Sequence, residues 1–362
     1  MKCYINQTGR FLPGDPVHNQ DLPDFLGTLE GESETREKIL RMNGIESRHY
    51  ALNRNQEATH DLYDLGRLAA EACLGETSEL ANEISYLSAG STNAPLVGPG
   101  LSTLLHDRLA KAGRLNGPVE VNSNSGICTA SGQALVNGIR AVSSGEHRSA
   151  LAIGVEQPSE ILKSSAIPVP SDREQYEDIR ESEWFMSVFL RSMLSDGAGA
   201  MLLEDSPRKD GVSLRVDWTF SRSFANETPL CMKLDGRSRL LTQDVQILSK
   251  YLRPCVRQVM SEAFERQQED LSSYRWVLPH ISSFFFRRQL VGTLRQMCMG
   301  EPVESWTNLA TAGNTGAASI YVMLDEFLKT KTLQDGEKVL LFIPESGQFN
   351  FVIISLTVVC AS

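Results

Sequence analysis

The chain has 362 residues, 41% of them hydrophobic, enough for one large domain or two intimately packed halves. A formal net charge of -10 argues against general nucleic-acid binding. No run approaches the roughly 20 apolar residues of a membrane span, and the opening MKCYINQTGRFLP lacks the apolar core of a signal peptide, so cytoplasmic residence is expected.

That opening reads as a first strand and turn. DLYDLGRLAAEACL (61–74) has helical spacing and is followed by EISYLSAGS. VEVNSNS (119–125) alternates like a short strand, and SGQALVNGIRAVSSGEH then places Ala134, Leu135, Ile139 and Val142 on one helical face, stopping near Gly145. SALAIGVE (149–156) and AGAMLLE (198–204) read as strands, separated by a charged, proline-containing stretch (162–185) that reads as a surface excursion. The second half offers the helix QDVQILSKYLRPCVRQVMSEAFERQ, the strand RWVLPH and the helix SSFFFRRQLVGTLRQM. GNTGAASIYVMLDEFLK as a helix and KVLLFIPESGQFNFVIISLTVV as a closing hairpin complete it. Alternating strands and helices predict an α/β protein. SNSGICTASGQALVNGIRAV and NLATAGNTGAASIYVMLDEF are both small-residue turns running into helices, the trace a repeated βα unit leaves.

Seven scattered cysteines with no CxxC spacing suggest neither a disulfide framework nor a zinc site. Most read as small buried hydrophobes; Cys128 stands apart, in a glycine-rich turn between strand and helix. A helix N-terminus favours thiolate over thiol, and small neighbours let a thioester approach and leave backbone donors free for an oxyanion. A buried structural cysteine is the competing reading. His18, His49, His60, His106 and His147 lie in polar or exposed-looking contexts, whereas His280 ends an apolar strand, at the edge where α/β sites collect. Asn314 sits in the turn TAGNTGAAS, either as an ordinary cap or as an amide donor. Glu156 ends the strand after the nucleophile helix, as an active-site base or as a loop anchor.

Taken together, these segments resemble a thiolase-fold condensing enzyme of the type III β-ketoacyl-acyl-carrier-protein synthase kind, nearly end to end. SGICTASGQAL resembles the nucleophile segment, AGNTGAASI the GNTSAAS segment, SDGAGAMLLE a GDGAGA strand entry and MNGIESRHYA an RTGIxxR segment. The resemblance implies a thiolase-like α/β fold of two similar βαβαβαββ-type halves in a layered αβαβα arrangement. Residues 1–205 would carry the nucleophile, and residues 206–362 the histidine and asparagine. It implies that Cys128 is acylated and that His280 and Asn314 hydrogen-bond the second substrate's thioester carbonyl as it becomes an enolate. The N–H groups of Cys128 and Gly347 would form the other oxyanion hole. The expected reaction is a Claisen-type condensation with a malonyl-like or β-ketoacyl thioester carried by acyl-carrier protein or CoA, in a homodimer, with no metal or bound cofactor.

Three departures stand out. HISS replaces HQAN, ESGQF replaces a triple-glycine loop and keeps only Gly347, and Met42 takes the arginine position of RTGI with the nearby tryptophan missing. They weaken the expected recognition of a CoA adenine and favour a carrier-protein arm. HISS, ESGQF and Glu156 also resemble the ketosynthase/cyclases of dialkylresorcinol and stilbene biosynthesis, in which a second carbon–carbon bond needs an extra base. Arg287, Arg288, Lys250, Arg253 and Arg257 are candidates to meet an acidic carrier, against the plainer reading of solvated helix faces. Phe284, Phe285 and Phe286 are candidates to line an acyl tunnel, against core packing. The alternatives are chain-initiating fatty-acid synthesis, chalcone-synthase-like chemistry, a catalytically silent thiolase-fold partner, and a cysteine hydrolase.

Overall fold

The structure, a computed structural model, describes residues 2–29, 31–75, 83–167, 183–297 and 303–361. Ten strands make one mixed sheet. The first half supplies β1 (Cys3–Phe11), β2 (Tyr86–Ser91), β3 (Glu120–Ser125), β4 (Ser149–Glu156) and β5 (Gly197–Glu204). The second supplies β6 (Val212–Ser223), β7 (Trp276–Pro279), β8 (Glu304–Ser305), β9 (Lys338–Pro344) and β10 (Asn350–Cys360). From the centre outward the order is β1-β5-β4-β2-β3 on one side and β6-β10-β9-β7-β8 on the other. Each half therefore runs first, fifth, fourth, second, third. The pairing senses repeat too: β2 is parallel to β3 and β4 as β7 is to β8 and β9, and the remaining pairs are antiparallel. β1 and β6 join the halves antiparallel. This is the duplication that the two small-residue turns hint at.

The helices that matter are α1 (Leu62–Leu74), α2 (Leu101–Lys111), α3 (Ala130–Ser144), α4 (Glu183–Arg191), α5 (Val245–Gln267), α6 (Phe284–Met297) and α7 (Ser319–Thr330). Period-two side chains sort each strand between two apolar layers. In β4, Ala150 and Ala152 face the middle helices α3 and α7, while Leu151, Ile153 and Val155 face α1 and α2. In β9, Val339, Leu341 and Ile343 face the same middle layer, and Leu340 and Phe342 face the cluster that holds α5. The two halves of the one sheet thus stand on either side of α3 and α7, giving five layers, helix–sheet–helix–sheet–helix.

Two glycines allow the middle helices to approach. A Cβ on Gly90 would stand 2.4 Å from the Ala130 carbonyl oxygen, and one on Gly199 would stand 2.4 Å from Tyr321 Cβ. Only glycine fits either place. The GDGAGA-like segment is therefore a packing device. One expected boundary moves: 313–318 is a turn and a short 3₁₀ stretch, and α7 begins at Ser319. Positive φ at Gly313 (+70°) and Gly316 (+52°) keeps the helix from starting earlier. The excursion falls largely at 168–182, outside the described residues.

Candidate active site

The C-terminal ends of β4, β7 and β9, together with the turn before α3, open onto one cavity of about 1180 Å³, its mouth included. Cys128, Glu156, His280 and Asn314 all line it, with Glu345 and Thr92 beside them. Leu190, Met193, Leu248, Leu252, Val256 and Leu290 give it an apolar arm between α4, α5 and α6. Four residues from both halves of the sequence thus share one space.

Cys128 lies in the turn two residues ahead of α3, with Thr129 at the N-cap position. It is partly exposed and opens onto the cavity. The expected thiolate is not what this environment favours. Burial, then the negative charges of Glu345 and Glu156, push the thiol well above its ordinary value, so the resting sulfur is protonated. The helix N-terminus fails to dominate because a carboxylate occupies its donors: Glu345 Oε2 accepts from the N–H groups of Ile127 (3.2 Å) and Thr129 (3.0 Å) and from the Thr129 hydroxyl.

Glu156 is 4% exposed at the end of β4. Its Oε1 accepts from the Thr92 N–H (2.7 Å), the Thr92 hydroxyl (2.5 Å) and the Ala317 N–H (3.4 Å). Burial outweighs these donors and raises the carboxyl to about 7, so both protonation states are populated at neutral pH. His280 follows β7, also 4% exposed; burial lowers its imidazole to about 4, so the ring is neutral at pH 7. Its Nδ1 is buried without a partner among the described residues, and its backbone N–H donates to the Phe342 carbonyl.

Asn314 Oδ1 accepts the Gly316 N–H at 3.0 Å, which assigns the amide and leaves Nδ2 as the donor. The Asn314 backbone is tied across to the chain after α4: its N–H donates to Met193 O (3.0 Å), and its carbonyl accepts from the Ser195 N–H (2.9 Å). A neutral ring, an amide donor and a thiol in one cavity suit a thioester carbonyl that gains negative charge.

Gly347 stands next to this group and does not line the cavity among the described residues; a Cβ there would meet Glu345 Oε1 at 2.7 Å and Ile127 Cγ1 at 3.2 Å. The Gly347 N–H has no hydrogen-bond partner among the described residues, and the Cys128 N–H lies against its own sulfur. Of the three phenylalanines, Phe286 lines the cavity; Phe284 packs against Gly44 and Phe285 is 49% exposed. The reason is helical geometry: three consecutive residues point to three faces. Arg253 is exposed and lines the cavity, and with Arg257 it donates to Gln296 Oε1. Arg287 is exposed over the Phe284 ring, and Lys250 is exposed beside Tyr251. The Arg288 side chain lies outside the described residues. His49, expected in a polar setting, is buried, its ring facing the carbonyls of Pro13 and Gly14.

Sequence reading missed Glu345 and Thr92. Glu345 had a signal, a carboxylate where a triple-glycine loop is expected; Thr92 had none. Among the described residues no group of three or more His, Cys, Asp or Glu is placed to hold a metal ion, and no helix is long and apolar enough to cross a membrane.

Comparison with known proteins agrees with this architecture. Residues 264–344 match the family model 3-Oxoacyl-[acyl-carrier-protein (ACP)] synthase III C terminal. Among solved structures, AbyA1, a tetronic acid condensing enzyme, superposes with TM-score 0.77 at 19% identity, covering 98% of this chain and 99% of that one. The fold is thiolase-like. The 3-oxoacyl-[acyl-carrier-protein] synthase III from Aquifex aeolicus VF5 gives TM-score 0.72 at 21% identity, covering 98% and 99%. A substituted form of OleA from Xanthomonas campestris gives TM-score 0.76 at 16% identity, covering 99% and 98%.

Proposed function

We propose that the protein is a ketosynthase-type acyltransferase that joins two thioesters through a carbon–carbon bond. The observation that carries this reading is the convergence of Cys128, His280 and Asn314 on one cavity with an apolar arm. In the first half-reaction the Cys128 sulfur attacks an acyl thioester. A C–S bond forms to Cys128, the bond to the carrier sulfur breaks, and the thiol proton leaves with the carrier thiol. The Cys128 N–H is taken to hold the oxyanion; Gly347, the other expected donor, stands beside Glu345 outside the cavity lining. In the second, the α-carbon of a malonyl-like or β-ketoacyl thioester attacks that acyl group, while His280 and Asn314 Nδ2 hold its enolate oxygen. The C–S bond to Cys128 breaks as the carbon–carbon bond forms, carbon dioxide or a proton departs from the α-carbon, and the sulfur takes up a proton, from solvent in the decarboxylative case, to regenerate the Cys128 thiol.

The finer reading is a ketosynthase/cyclase that closes a cyclohexanedione ring on the way to dialkylresorcinols. Glu156 supports it: a carboxyl poised near 7 inside the cavity is a suitable base for the additional deprotonation. Acyl-carrier protein is the proposed donor, received near Arg253 and Arg257. The two halves are taken as 1–205 and 206–362 on the strength of the repeated strand order. A cytoplasmic homodimer is proposed as well; the edge strand β3 with Val121, and the nearby exposed Leu96 and Val97, support a second copy pairing there.

Intact-protein mass spectrometry after exposure to acyl thioesters tests the main reading. An adduct is expected on the native protein and absent from Cys128→Ala. An adduct of equal yield on Cys128→Ala rejects it. Incubation with paired β-ketoacyl and α,β-unsaturated thioesters tests ring closure, and linear product alone rejects the cyclase.

A further inference from the structure

Glu345 is 3% exposed and reaches the nucleophile turn from the loop between β9 and β10. Its two oxygens have divided tasks. Oε2 takes the N–H groups of Ile127 and Thr129 and the Thr129 hydroxyl; Oε1 takes Asn350 Nδ2 at 2.8 Å. The Glu345 N–H donates in turn to the Asn350 carbonyl at 2.8 Å, fixing the loop that presents the carboxylate. Four donors satisfy a buried charge, and the chain is held immediately before and after Cys128. We propose that Glu345 is a positioning residue for Cys128, gripping the turn on both sides of the sulfur and setting when that sulfur becomes nucleophilic.

The inference builds on the proposed function in taking Cys128 as the reactive sulfur. The physical basis is competition at a helix N-terminus. Free N–H groups there stabilise a thiolate; here one of them, at Thr129, is spent on a carboxylate whose charge remains beside the sulfur. Glu345 from the β9–β10 loop and Glu156 from β4 both act on Cys128, and the neutral His280 after β7 and Arg253 line the same cavity. Two carboxylates disfavour ionisation of the thiol between them. The thiol is then sheltered from adventitious electrophiles and reacts when a bound thioester offers a leaving sulfur to take its proton. Glu345 is held by four donors and Glu156 by three.

The test follows alkylation of Cys128 by iodoacetamide against pH, read by intact-protein mass with Cys128→Ala as the blank. In the native protein the thiol half-titrates above its ordinary 9.0. Glu345→Gln, which keeps an acceptor and removes the charge, speeds alkylation at pH 8 by about tenfold, one unit of pKa. Glu345→Asp, which keeps the charge and shortens the reach, gives no such increase and loads acyl groups more slowly. A native titration below 9.0, or Glu345→Gln and Glu345→Asp rising equally, overturns the proposal. The native measurement stands even if a variant does not fold. The alkylation arm uses no acyl substrate, so shifts as stated alongside absent acyl adducts reject the condensing reading and leave this one standing.

Discussion

Thr92 presents both its amide and its hydroxyl hydrogen to a single oxygen of Glu156, at 2.7 and 2.5 Å. One carboxylate oxygen is therefore pinned while burial still keeps the group near 7. Because the folded protein binds this proton more tightly than the unfolded chain, whose carboxyl titrates near 4.5, stability falls as pH rises from 4.5 through 7. Glu156→Gln removes that slope. Its stability relative to the native protein, from urea midpoints, should increase between about pH 5 and 8 by on the order of 2 kcal/mol. A difference independent of pH rejects the assignment. Ring closure, where observed, should rise in rate through pH 7 and be lost in the same variant.

His280 has the opposite dependence. Its folded value of about 4 lies below the unfolded 6.5, so full stability is present above 6.5 and drains as pH falls towards 4. His280→Asn should flatten that acid limb, and thermal unfolding at pH 4 to 7 measures it.

The two half-reactions should separate by variant. Cys128→Ala abolishes both. His280→Ala and Asn314→Ala should still take up an acyl group, yet lose about 100-fold or more in condensation, since each removes a donor to the developing enolate oxygen. Single-turnover mass measurement of acyl-enzyme and product distinguishes the steps; equal loss in both places these residues elsewhere in the mechanism.

Leu252 lines the apolar arm from α5. Leu252→Trp should leave adducts from short acyl thioesters in place and suppress long ones, read from a chain-length series. Uniform loss across lengths indicates that the chains lie outside this arm.

Gly90→Ala would press a methyl group against the Ala130 carbonyl oxygen, 2.4 Å away. Backbone offers no flexible atom to yield, so a cost of about 2 kcal/mol or more is expected from chemical denaturation. Acyl loading should suffer with it, because α3 and the Cys128 turn move together.

Much of this was legible where local pattern and tertiary role agree. Period-two runs such as SALAIGVE gave β4 residue for residue, and the glycine-rich turns gave Cys128 and Asn314. β6 was opaque, since VSLRVDWTFSRS mixes Arg215, Asp217 and Arg222 into a central strand, and long-range pairing with β10 and β1 determines it. The charge state of Cys128 was equally unreadable. It depends first on burial and then on Glu345, far away in sequence, closing over the turn. Helix position alone carries no sign of either contribution.

The two hydrogen bonds between Asn314 and the Met193–Ser195 backbone splice the carboxamide's seat into the chain that emerges from the 162–185 excursion. A repacked Leu190, or a protein docked over that stretch, therefore acts on the seat of Asn314, the proposed enolate donor. Such perturbations should starve the joining step while charged enzyme accumulates.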